Sequence, residues 1–388
     1  MTELTHLETK HGRNLVVFCD GTGNELGRNL SNVLKLFRIA RKTDEQLCFY
    51  HPGVGTISRI NPWARFRQKT KEVLGLATGY GLDDCVLSAY SWLAENWREG
   101  DRIYLFGFSR GAWAVRVLAG FIHLIGLLRP EQLNMCDSAL GTYKQAAQNN
   151  DLPMAWHFSR VISARPVTIH FLGVWDTVAS VLVPRPDRWY LPSLEQLPYT
   201  KRNPSVATMR HAVAIDERRR MFRIAKWEQP QPFVKNRFDK TAPEVLQDIE
   251  QTCFAGVHSD VGGGYPETES SLSKFPLIWM VEEARKFGLK ISERMFDHLA
   301  IGTAIAEGKH EYEPPSATGE MHRSLVGAWW ILEFLPKRIR YREWKRRSLA
   351  GYYIPHAEPR EMPHLASIHP SVQDRINADI GYAPANLP

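Results

Sequence analysis

The stretch from Arg102 to Ala112, reading RIYLFGFSRGA, constrains the fold more than any other part of the chain. Ile103, Tyr104, Leu105 and Phe106 follow Gly100-Asp101 and suit a parallel strand buried on both faces. The strand runs directly into Gly107-x-Ser109-x-Gly111, and the residues from Ala112 to Ala119 read as a helix with a broad apolar face. Turning a strand into a helix over a single residue is sterically demanding, so the positions two before and two after Ser109 must be small. The same turn lifts the serine hydroxyl clear of the backbone. It also aims the unpaired N–H groups of the new helix at the space above that hydroxyl.

With 388 residues, 44% of them hydrophobic, the chain can bury a large core, and we read residues 1–388 as one α/β domain. The net charge of +7 is too mild to demand a nucleic-acid partner, and no nucleic-acid-binding module accompanies it. Cys19, Cys48, Cys85, Cys136 and Cys253 are scattered without C-x-x-C spacing, so neither a disulfide framework nor a zinc site is expected. Met1 to Lys10 is polar and lacks the apolar region of a Sec signal, and no apolar run reaches spanning length. Synthesis in the cytosol, and export only by a route that reads no N-terminal signal, are the corresponding expectations.

Strand patterns recur along the chain, separated by helical ones. Asn14 to Cys19 is a strand ending in Asp20-Gly21-Thr22-Gly23, and a helix follows from near Asn29 or Ser31. Leu47 to Tyr50 is a second strand, and residues 84–97 form an amphipathic helix before the Ile103 strand. Residues 131–160 read as helical, 166–175 as a strand closing on Asp176-Thr177, and 183–204 as a Pro-rich insertion or lid. Residues 209–216 resume regular structure ahead of a basic run (Arg218, Arg219, Arg220, Arg223, Lys226). Residues 251–257 form a strand leading to His258-Ser259-Asp260 and Gly262-Gly263-Gly264, and a helix covers 273–287. Strand, turn and helix repeating with a dozen or more residues between strands implies βαβ units and a mostly parallel central sheet flanked by helices, with inserted segments.

A serine at such a turn acts as a nucleophile when a histidine takes its proton and an acid holds that histidine. In α/β-hydrolases the order is Ser, then Asp or Glu, then His, each at the carboxyl end of a strand. Ser109, Asp176 and His258 satisfy both conditions. His369 is the alternative base, although it follows no clear strand, and Asp260 the alternative acid. An oxyanion hole would draw one N–H from Arg110 and another from Gly21 or Thr22. Gly21-x-Gly23 also begins a dinucleotide-binding pattern, but Leu26 occupies its third glycine position and the second strand ends at His51 rather than an acid. Neither a cofactor nor a resident metal is expected.

Five motifs in order, Phe18–Asn24, Gly53–Thr56, Gly107–Ala112, Val174–Val178 and Gly256–Tyr265, resemble the α/β-hydrolase domain of the first family of type VI secretion lipase effectors. A weaker match continues at His369-Pro370-Ser371-Val372. The resemblance implies a serine phospholipase acting on membrane glycerophospholipids, with Ser109, Asp176 and His258 in the motif positions. It further implies loading on a secretion needle, delivery to a target cell, and an immunity protein in the producer. Esterase action on soluble acyl or carbohydrate esters is the competing enzyme reading, and an inactive membrane- or partner-binding module the competing non-enzyme one.

Residues 325–350 bear on the lipid expectation. Trp329-Trp330-Ile331-Leu332-Glu333-Phe334-Leu335 precedes Lys337, Arg338, Arg340, Arg342, Lys345, Arg346 and Arg347, with Tyr341 and Trp344 interleaved. Aromatics beside a basic run suit an anionic lipid surface. A buried apolar segment next to a solvated basic face reads equally well from the sequence.

Overall fold

The computed structural model describes residues 12–21, 29–53, 81–148, 151–178, 182–184, 192–194, 197–235, 245–305, 310–327, 329–344, 347–378 and 380–387. In chain order the main elements are β1 (Asn14–Cys19), α1 (Asn32–Ile39), β2 (Gln46–His51), α2 (Leu82–Asn96), β3 (Arg102–Phe108) and α3 (Arg110–Ile125). They continue with α4 (Cys136–Gln148), α5 (Leu152–Val161), β4 (Ile169–Trp175), β5 (Val206–Ala214), β6 (Asp248–Phe254) and α6 (His258–Gly262). The last are α7 (Ser271–Lys286), α8 (Trp329–Glu333), β7 (Ser367–Ile368) and α9 (Pro370–Asn377).

The seven strands form one sheet in the order β7-β6-β5-β4-β3-β1-β2, and every neighbouring pair is parallel. The expected α/β architecture is therefore present, with each strand's carboxyl end on the same edge of the sheet.

Alternation along the strands divides the core. Leu15, Val17, Ile103, Leu105 and Val174 face the layer of α2, α3, α4 and α5. Val16, Phe18, Tyr104, Phe106 and Trp175 face α1 and α7. The near-complete burial of β1 and β3 on both faces explains why their sequences are continuous apolar runs rather than alternating ones. A smaller cluster (Val213, Ile215, Cys253, Met362, Val372, Tyr382) seals the β5–β6–β7 end with the C-terminal segment.

Local signals set the helix ends. Ser31 caps α1 by accepting the Leu34 N–H at 3.1 Å, and Asp151 caps α5 by accepting that of Met154 at 3.2 Å. The second cap divides the helical stretch expected over 131–160 into α4 and α5. The strand expected to reach Val257 ends at Phe254, since Gly256 turns the chain with φ +113°. One expectation is corrected outright: His369 does follow a strand. β7 pairs with β6 through only Thr252–Ser367 and Cys253–Ile368, too short a segment to leave a periodic signal. Residues 185–191 and 195–196 of the 183–204 insertion lie outside the described residues. No helix of the described residues is long and apolar enough to cross a membrane.

Candidate active site

β3 ends at Phe108 and α3 begins at Arg110, leaving Ser109 alone between them at φ +57° and ψ −120°. Such a backbone state costs an L residue about 1–3 kcal/mol and persists only where its surroundings enforce it. Here they do. A Cβ on Gly107 would lie 2.5 Å from the Gly111 carbonyl oxygen, and one on Gly111 would lie 2.1 Å from that of Cys19. Both obstacles are backbone, so the two glycines let β1, β3 and α3 close on one another. The Ser109 N–H donates to the Trp175 carbonyl at 3.2 Å, tying the turn to the end of β4.

Asp176 follows β4 directly, with φ +35°, and its N–H donates to the Ala212 carbonyl of β5 at 2.7 Å. Its carboxylate is fully buried and accepts four hydrogen bonds. Oδ1 receives the Ala214 N–H at 3.0 Å and Arg360 Nη1 at 2.6 Å, while Oδ2 receives Arg360 Nη2 at 3.0 Å and His258 Nδ1 at 2.5 Å. Burial alone would push the Asp176 carboxyl upward, but the Arg360 charge and the His258 hydrogen bond overcome it and hold the group far below the usual carboxylate range. Because a carboxylate only accepts, the proton of that imidazole sits on Nδ1.

His258 is the first residue of α6, 4% exposed. Its ring lies 4.6 Å from Phe108, the neighbour of Ser109, and 4.9 Å edge-on from Phe222. Its backbone N–H donates to the buried Glu217 carboxylate at 3.3 Å. Burial lowers its pKa, and the Asp176 hydrogen bond offsets only part of that, so the imidazole is neutral at pH 7. Nε2 is buried and has no hydrogen-bond partner among the described residues. A neutral imidazole fixed at Nδ1 with Nε2 open to accept is the state a general base requires, and such bonds often form only with substrate present.

The alternatives take other places. Asp260 does not reach His258; it accepts from His322 Nδ1 at 2.7 Å and from the Val257 N–H at 3.0 Å. His369 caps α9, its Nδ1 accepting the Ser371 N–H at 3.2 Å, and its ring stacks on Phe254 at 4.7 Å. Gly21 passes beside the turn, since a Cβ there would sit 3.3 Å from Ser109 Cβ, but its N–H donates to Asp20 Oδ1 at 2.7 Å. That donor is therefore engaged within its own loop. Thr22 lies outside the described residues. Among the described residues no group of three or more His, Cys, Asp or Glu side chains could hold a metal ion.

Three neighbours were not foreseen. Arg360, fully buried, stands in the charged run Glu358-Pro359-Arg360-Glu361, whose composition reads as a solvated loop. Glu217 immediately precedes the basic run and Phe222 falls within it, and three of the run's arginines are engaged inside the molecule. Arg219 binds Glu217 at 2.8 Å, Arg223 binds Glu343 at 3.3 Å, and Arg220 donates to the carbonyls of Leu332 and Leu335 at 2.6 and 2.7 Å. The run thus fastens residues 332–343 against the site.

A family model described as "T6SS, Phospholipase effector Tle1-like, catalytic domain" matches residues 13–283. A protein of Saccharomyces cerevisiae, the uncharacterized protein YEL023C, is 26% identical over 561 residues, covering 97% of this chain and 81% of its own length. Among solved structures, an uncharacterized protein from Pseudomonas aeruginosa is 21% identical with a TM-score of 0.36, covering 72% of this chain and 46% of that one. The Tle1 effector bound to the VgrG spike of the type 6 secretion system is 19% identical with a TM-score of 0.31, covering 67% of this chain and 52% of that one. This chain thus spans about half the length of those two solved chains. On the family match, which takes in β1 through most of α7 and the Ser109, Asp176 and His258 positions, the chain belongs to the Tle1-like family of type VI secretion phospholipase effectors.

Proposed function

We propose that this protein is a serine phospholipase of the A type, releasing fatty acid from membrane glycerophospholipids. The observation that carries the reading is the buried Asp176–His258 hydrogen bond of 2.5 Å, with Nε2 open, next to the strained Ser109 turn. Ser109 Oγ attacks the ester carbonyl as Nε2 takes its proton. The imidazolium then returns that proton to the leaving alcohol, and water releases the acyl group from Ser109 by the same steps. The Arg110 N–H, in the first turn of α3, is the first donor to the developing oxyanion in this reading. The second donor comes from Gly21 or Thr22, and Gly21 serves only once its N–H leaves Asp20 Oδ1.

The bilayer as substrate is favoured by the surface next to His258. Phe222 touches the imidazole and packs edge-on against Trp329 at 5.6 Å, at the start of α8. Beyond it Trp330, Ile331, Phe334 and Leu335 are all exposed, and Arg338, Arg340 and Arg347 are exposed close by in the chain. Apolar side chains flanked by cations suit insertion among anionic headgroups. The family further leads us to propose export by the type VI needle, with a spike protein as carrier and an immunity protein in the producing cell.

The test is fatty-acid release from phosphatidylglycerol-containing vesicles by wild type, Ser109→Ala and His258→Ala. Release by wild type and loss in both variants is expected. Wild type that spares vesicles yet is labelled at Ser109 by a fluorophosphonate would leave an esterase of soluble substrates. Absence of labelling would leave a binding module. Ile331→Asp with Phe334→Asp should lower vesicle hydrolysis about tenfold or more, and more than hydrolysis of a soluble short-chain ester.

A further inference from the structure

We propose that Arg360 is a positioning residue of the serine hydrolase machinery: its guanidinium grips both oxygens of Asp176 and balances that carboxylate's charge, so that His258 stands as an uncharged base. The inference rests on the functional reading above and adds to it a residue from beyond the family-matched segment, which ends at 283.

The geometry is specific. Arg360 is fully buried, donates at 2.6 Å and 3.0 Å to the two carboxylate oxygens, and donates onward to the carbonyls of Ala214 and Phe222. Asn386 holds the backbone on both sides of the contact, donating to the Arg360 and Ile215 carbonyls at 3.1 Å each. A planar bidentate fork of this kind fixes the orientation of the carboxylate, which a lysine could not do. With Asp176 held from one side, its Oδ2 meets Nδ1 of the imidazole at one angle only.

A count of charge gives the functional consequence. Arg360, Asp176 and neutral His258 sum to zero, and burial penalises any other total. The groups facing them are neutral or paired except the buried Arg116, whose pKa is lowered by burial to about 9 and which adds a positive charge behind His211. Glu217 and Arg219 form their own pair at 2.8 Å. His211 of β5, whose Nε2 accepts the Thr177 N–H at 3.2 Å, is driven down to about 3 by burial and is neutral. Arg116 of α3 lies behind it, donating to the Ala225 carbonyl at 2.6 Å. The Cys253 thiol of β6 is pushed up to about 12 by burial and is neutral. Asp260 of α6 is occupied by His322. Without Arg360, Asp176 and neutral His258 would carry one buried negative charge. The pair would relieve it by holding a proton, which takes the base out of action until the pH is raised.

The experiment uses the full chain with Arg360→Met and Arg360→Lys. The rate at which a fluorophosphonate labels Ser109 is followed from acid to alkaline pH. In Arg360→Met the acid limb should move up by about one unit or more, giving a deficit that approaches about tenfold at pH values below the wild-type limb and closes toward alkaline pH. Arg360→Lys, which keeps the charge and loses the fork, should leave the limb in place and be slower throughout. A limb in Arg360→Met that coincides with wild type, or a deficit equal at every pH, would overturn the proposal. Nitrogen-15 spectra of the His258 ring read the same point independently of labelling and of whether Arg360→Met folds. A neutral imidazole at pH 7 in wild type and in Arg360→Lys is expected, and an imidazolium in wild type would sink the assignment. If wild-type Ser109 takes no label at any pH while the ring behaves as expected, the hydrolase reading fails and takes the catalytic role of Arg360 with it, while its control of the His258 charge stands.

Discussion

Two aspartate–histidine pairs meet the chain at His258 and Asp260, two residues apart, and they are opposite in character. In one, Asp176 holds Nδ1 of His258 at 2.5 Å, an arginine stands behind the carboxylate, and Nε2 is unpartnered. In the other, Asp260 holds Nδ1 of His322 at 2.7 Å, and a second carboxylate, Glu269, takes Nε2 at 3.0 Å while Tyr265 stacks on the ring at 3.5 Å. Burial acts against charge in both rings. In His258 it prevails and the pKa falls; in His322 the Glu269 and Asp260 hydrogen bonds prevail and the pKa rises. The residue types match, yet the first ring is held neutral with Nε2 unpartnered, as the proposed base requires, and the second is biased toward its charged form with both nitrogens taken. The sign of the charge around the pair, not the presence of the pair, decides which can do chemistry.

The largest contrast should come from deleting each ring. His258→Ala and Ser109→Ala should each lower acyl-ester hydrolysis by about 10⁴-fold or more, whereas His322→Ala should stay within about tenfold of wild type when assayed at a temperature where both are folded. Equal losses at the two histidines would erase the distinction. Removing the acids sharpens it further. Asp176→Asn should cost about 10⁴ in turnover by allowing the wrong imidazole tautomer. Asp260→Asn should show itself as about 1–3 kcal/mol of lost stability in denaturant unfolding, with turnover changed far less.

The smallest effect is in the response to pH. Since the His258 pKa is lowered from 6.5, the acid limb of kcat/KM should lie below that value. His322 has the opposite sign. Its folded pKa is raised above 6.5, so its contribution to stability is fully present below 6.5 and is lost as the pH climbs through the raised value. The difference in melting temperature between wild type and His322→Gln should be widest below pH 6 and narrow on the alkaline side. A gap that widened upward would reverse the assignment of charge.

Legibility followed the range of the interactions. The Ser109 turn could be read because its signals are contiguous in the chain: an apolar strand, two glycines that must admit backbone, and a helix. Asp176 and His258 could be read because each ends a strand and stands in the order such sites share. The choice of Asp176 over Asp260 had strand position, chain order and motif position behind it, and in the fold Asp176 meets His258 while Asp260 meets His322. His369 looked like an acceptable base in sequence and is a helix cap in space, stacked on Phe254. The basic run at 218–226 carried no assignment in the sequence, and in the fold its arginines pair with Glu217, Glu343 and carbonyls of the C-terminal segment.

By itself the sequence determined the elements that depend on neighbours along the chain: parallel strands from buried apolar runs, the strained serine from its glycines, and the candidate acid and base from strand ends. The tertiary structure alone decided the electrostatics. Arg360 lies 184 residues from Asp176 in sequence and touches both of its oxygens in space. No periodicity or spacing encodes that meeting, because it is made by the C-terminal segment folding back over the carboxyl edge of the sheet. Charge acts through space and burial strengthens it, so the state of His258 belongs to the folded molecule rather than to any stretch of its sequence.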